Sequence, residues 1–162
     1  MGDKNIAIRF RLAQLLIFII LAINLQCALV FLLAPSWFAP GYELNGEVGD
    51  AVIRAFGILF LIWNVPYLFA AWNPQRYRLS LWQAILMQAI GLIGETGILL
   101  SLSSDHLILR ESIFRFIVFD GAGLIALIVA LFISGAVGFN REASRAEREI
   151  LSGTKVKSKD CA

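Results

Sequence analysis

Four ionisable residues, Arg54, Glu95, Arg115 and Asp120, stand inside otherwise apolar stretches of this 162-residue chain, and three amides, Asn24, Asn64 and Gln88, accompany them. Two carboxylates and two guanidiniums in such surroundings support mutual neutralisation as ion pairs, proton relay, or capture of a polar ligand. At 100° per residue, Ala84, Gln88, Gly91 and Glu95 fall within an arc of about 60°, a small and polar stripe that ends in a carboxylate. Arg54, Gly57, Leu61 and Asn64 fall within about 80°, so the two stripes are expected to face each other. Arg115 and Asp120 stand about 140° apart and cannot point the same way. Arg115 is instead placed to lean on Glu111, one turn earlier, and to reach the interface. The expected arrangement is a charge-balanced cluster, with Glu95 and Asp120 neutralised by Arg54 and Arg115 and the amides completing the hydrogen bonds.

The elements that must carry these groups follow from composition. With 59% apolar and 16% charged residues and a mean hydropathy of +0.76, a chain this short cannot hide its apolar surface from water. Crossing a hydrocarbon core takes about 20 apolar residues at 1.5 Å each. Four segments qualify, at about 12–33, 51–72, 79–102 and 112–134. None alternates with period two, and an open sheet would leave unpaired backbone groups in lipid, so the expected fold is an all-α, four-helix transmembrane bundle. The first segment is too long for a signal-peptide core and is expected to remain in the mature protein. Residues 1–138 form the bundle and 139–162 a basic tail, in which Arg141 to Leu151 continue as a surface helix and the residues from Ser152 onward lack fixed structure.

Orientation follows from the basic residues. Lys4, Arg9 and Arg11, then Arg76 and Arg78, then Arg141, Arg145, Arg148, Lys155, Lys157 and Lys159 mark one side, which places both termini in the cytoplasm. The other side carries Glu43, Glu47 and Asp50 in the first connection and Asp105, His106, Arg110 and Glu111 in the third. In this frame Glu95 and Asp120 lie about 10 and 12 Å below the outer ends of their spans and the two arginines about 5 Å below. The outer connection, with Pro35, Trp37, Phe38 and Pro40, is expected to lie partly in the headgroup layer, and His106 to be a solvated loop residue. Pro66 is expected to kink the second span. Gly91, Gly94 and Gly97, with Gly121 and Gly123, are expected to let the third and fourth spans approach closely.

No P-loop, HExxH, nucleophile elbow or pair of intramembrane histidines is present, and Cys27 and Cys161 form no CxxC. No catalytic residue, metal or cofactor is therefore expected. The basic residues track topology, which removes the case for nucleic acid. The expected partners are the lipid bilayer, other membrane subunits, or a second copy of this chain.

The layout, four spans in about 140 residues with Gly57 through Tyr67, Gln88 through Glu95 and Arg115 through Gly123 as its distinctive stretches, resembles the DoxX-like group of small bacterial membrane proteins. Some DoxX proteins are small subunits of membrane oxidoreductase assemblies. The resemblance implies a bacterial inner-membrane location and a non-catalytic accessory or structural subunit that packs against partner membrane proteins. It carries over no catalytic residue. The charged cluster supports a different function, a small ligand-binding or transport protein that uses an outer-half polar cavity around Glu95 and Asp120.

Overall fold

The computed structural model describes residues 2–159, with side chains placed for residues 4–135. Among these residues the chain forms α1 (Gly2–Leu33), α2 (Gly46–Trp72), α3 (Arg78–Ser101) and α4 (Leu107–Lys159), two 3-10 turns at Pro35–Trp37 and Ala39–Tyr42, and no strand. All four helices are long and apolar enough to cross a membrane, over Lys4–Leu33, Gly46–Trp72, Arg78–Ser101 and Leu107–Gly135. The helix ends at Leu33, Trp72 and Ser101 fall where the apolar runs stop. The starts of α1, α2 and α4 come earlier than expected, because a charged or polar first turn is compatible with a helix although hydropathy does not mark it. The backbone of α4 runs as one helix to Lys159, so the expected loss of structure from Ser152 is not found there. Residues 160–162 lie outside the described residues.

Each helix packs against the next, and α4 closes the ring on α1, while the diagonal pairs make no close backbone approach. The tightest crossing joins α1 to α2. A Cβ added at Gly57 would lie 2.9 Å from the Ala28 carbonyl oxygen and 3.2 Å from the Leu32 nitrogen, so glycine is what lets these two backbones meet. Orphan groups at helix ends are met by side chains. Gln14 of α1 donates to the Ala71 and Trp72 carbonyls at the end of α2, and Arg110 donates to the Leu99 and Leu102 carbonyls at the end of α3. Asn73 accepts the Gln75 and Arg76 amides in the tight α2–α3 turn. Helix α2 continues unbroken through Pro66.

The interior is layered. One apolar cluster joins Ala13, Ile17 and Leu21 to Tyr67, Ala70, Leu81, Ala84, Leu127 and Ala130. A second joins Phe31, Ala39 and Ile53 to Phe38, Tyr42, Phe60 and Phe116 beneath the 3-10 turns. Between them Asn24, Asn64 and Gln88 are buried, and Asp120 stands at the same level. The outside carries large apolar side chains on every helix, such as Phe18, Ile62, Ile93 and Phe132, a pattern suited to lipid.

Candidate functional site

The polar layer is a directed chain. Tyr67, fully buried on α2, donates its hydroxyl hydrogen to the Oε1 of Gln88, with the Ala84 carbonyl 3.2 Å away. Gln88, 1% exposed, turns its Nε2 to Asp120 and donates to Oδ1 at 2.8 Å. Two glycines make room for this. A Cβ at Gly91 would fall 2.3 Å from the Asp120 Oδ2, and one at Gly123 would fall 2.7 Å from the Gln88 Nε2. Each helix therefore contributes a polar residue followed three positions later by a glycine, Gln88 and Gly91 on α3, Asp120 and Gly123 on α4. Because the helices run antiparallel, each polar side chain packs on the other's glycine.

Beside this chain lies a cavity of about 380 Å³ between α1, α2, α4 and the first connection. Asn24 and Asp120 supply polar groups in its depth, Phe31, Phe38, Tyr42, Phe60, Phe116 and Phe119 its aromatic walls, and Trp37 and Arg115 its exposed rim. The rings contact one another. Phe60 and Phe116 stack at a centroid distance of 6.0 Å, and Phe31 lies 4.9 Å from Phe38 and edge-on to Tyr42. Burial pushes the Tyr42 phenol above its ordinary value, so it remains neutral.

Two polar atoms of the cavity-lining residues lack partners among the described residues. The Asn24 Nδ2 is buried without a hydrogen-bond acceptor among the described residues, although the residue is only 7% exposed. The Asp120 Oδ2 receives no hydrogen bond from any described residue, since the bond from Gln88 goes to Oδ1. Buried donors without partners are uncommon because each forfeits its hydration.

The first connection is tied over the cavity. Ser112 of α4 donates to the Gly41 carbonyl at 2.7 Å. Glu43, the one non-glycine residue among those described with a positive φ, at 57°, bonds His106 and accepts the Leu109 amide at the start of α4. The hydrogen bond from His106, then the Leu109 amide, hold the Glu43 carboxyl below its ordinary value.

Several expectations are corrected here. Arg54 is exposed and makes no ion pair among the described residues. The inward stripe of α2 is Ile53, Gly57, Phe60, Asn64 and Tyr67, and Arg54 lies about 100° round from Ile53. The expected stripe was centred some 60° away from this one. Glu95 is half-buried; its Oε2 has no hydrogen-bond partner among the described residues and it does not line the cavity. Arg115 bonds Glu111 as its spacing implies, and both side chains are largely exposed, so no base among the described residues neutralises Glu95 or Asp120. Asn64 donates back to the Phe60 carbonyl, leaving its Oδ1 unmet. Gly91 and Gly123 do serve the α3–α4 contact, whereas a Cβ at Gly94 or Gly97 would meet nothing and one at Gly121 makes only an ordinary contact. His106 is paired, not merely solvated.

Sequence reasoning missed Tyr67 as a member of the chain, although it stands three residues beyond Asn64 and a buried phenol needs a partner. The aromatic walls carry no local motif. Among the described residues no group of three or more metal-ligating side chains comes together. No protein-family model, no curated protein and no solved structure matches this chain.

Proposed function

We propose that this chain is a multi-pass protein of the bacterial cytoplasmic membrane, with both termini cytoplasmic, that binds a small molecule without transforming it, in the cavity between α1 and α4. The observation that carries the reading is a cavity of about 380 Å³ lined by Asp120, a carboxylate whose Oδ1 accepts from Gln88 and whose Oδ2 is left over. A void that is merely a packing defect is apolar, whereas one with aromatic walls and a carboxylate among its lining is built to receive a ligand. The orientation rests on the distribution of Lys and Arg among the connections, and the bacterial location on the resemblance to the DoxX-like group. The test is native mass spectrometry of the full chain released from mild detergent. A small molecule that leaves on denaturation, and is absent from the cavity-filling variant Cys27→Trp, supports the reading; identical empty spectra for both proteins count against it.

A second reading, the accessory subunit, is favoured by Gly94 and Gly97 on the outward face of α3, where an added Cβ would meet nothing. Another helix can approach closely there. Purification of a stoichiometric heteromeric complex in mild detergent would support it, and a lone chain or homo-oligomer would not.

A further inference from the structure

We infer that the ligand of this cavity is an amphiphilic organic cation, a protonated or quaternary amine whose charge sits by Asp120 and whose apolar body lies among the rings. The inference rests on the ligand-binding reading above and adds the chemical class. Asp120 is the one carboxylate that lines the cavity. Its Oδ1 already accepts from Gln88, and that amide is oriented by Tyr67 on its other side, so the chain holds Asp120 as an acceptor and leaves Oδ2 over. Neither arginine of the expected cluster supplies a counter-charge. Arg54 faces outward, and Arg115, at the rim, is neutralised by Glu111. An ionised carboxylate in the interior with no basic partner among the described residues is costly, and a bound cation balances it.

The walls fit the same occupant. Phe31, Phe38, Tyr42, Phe60 and Phe116 surround the space, and aromatic faces attract a desolvated cation while also accepting an apolar body. Tyr42, kept neutral by burial, belongs to this wall and adds no charge. An anionic ligand would meet Asp120 with no base in the depth of the site, and a wholly apolar one would leave the Asp120 Oδ2 unmet.

The decisive experiment compares two probes on the purified full-length protein in nanodiscs, benzoylcholine and its uncharged carbon isostere 3,3-dimethylbutyl benzoate. Both carry the aromatic ring and the ester acceptor, and they differ in charge alone. The expected result is that benzoylcholine binds at least about tenfold more tightly. Asp120→Asn, which retains an oxygen for Gln88, should bring the ratio close to one. Equal affinities, or a preference for the isostere, in the unaltered protein would overturn the cationic assignment while leaving ligand binding in place. Binding of neither probe, together with empty native spectra, would remove both readings. The ratio in the unaltered protein decides the assignment even if a variant fails to fold.

Discussion

Gln88 on α3 donates to Asp120 on α4 at 2.8 Å, and each of these two side chains rests on a glycine of the opposite helix, Gln88 on Gly123 and Asp120 on Gly91. The pair joins α3 to α4, and through Tyr67 it also joins α2. Removing the middle member should therefore cost more than removing one bond. Gln88→Leu leaves the Tyr67 hydroxyl with only the Ala84 carbonyl and Asp120 with no donor. The expected loss is about 1–3 kcal/mol of stability, toward the lower end in a bilayer, where interhelical hydrogen bonds are modest. Thermal unfolding in detergent checks it, and an unchanged melting temperature would show that the chain does not hold the bundle.

The glycines should sort by what an added methyl meets. Gly57→Ala drives a Cβ to 2.9 Å from the Ala28 carbonyl oxygen, and backbone cannot swing aside, so α1 and α2 must separate at a cost of about 1–3 kcal/mol. Gly94→Ala meets nothing within 4 Å and should be neutral or stabilise by up to about 1 kcal/mol through helix propensity. Equal effects of the two substitutions would contradict the close crossing at Gly57.

Arg54→Leu should change stability by no more than about 0.5 kcal/mol, as an exposed residue does that has no ion-pair partner among the described residues. A double-mutant cycle of Arg54→Leu with Glu95→Gln should be additive within about 0.5 kcal/mol. A larger coupling energy would restore the ion pair that the sequence suggested.

The latch over the cavity should open in acid. Glu43 has a lowered pKa in the folded protein, through His106 first and the Leu109 amide second. A carboxylate with a depressed folded value contributes stability that is fully present above the ordinary value of 4.5 and is lost as pH falls through the folded value. Hydrogen exchange at the Leu109 amide should therefore show protection, corrected for intrinsic rate, that declines below about pH 4.5. Glu43→Gln should lack that decline. An identical pH profile in the variant would show that the latch does not depend on this carboxylate.

Cysteine probes at Asn45 and Asp105 should react with an impermeant reagent from outside intact cells, and a probe at Arg76 only after the membrane is opened, as the basic residues require. Labelling of position 76 from outside would reverse the proposed orientation.

The number of helices long enough to span a membrane and their C-terminal limits, within one residue of Leu33, Trp72 and Ser101, were legible in the residues alone. Hydropathy is a sum over neighbours in the chain, and depth is a count of residues at a fixed rise, so neither needs a partner segment. The rotation of each helix was not legible in this way. Some 60° separates the centre of the expected arc, which holds Arg54, from that of the observed one, which holds Tyr67, and several apolar arcs of α2 would satisfy periodicity equally well. What selected one arc is the meeting of Gly57 with the backbone of α1 at Ala28 and Leu32. The cavity likewise exists because Ser112 and Leu109 bond the first connection back onto α4. Such contacts join residues far apart in sequence, and their energy depends on fit between two surfaces, so only the tertiary structure decides them.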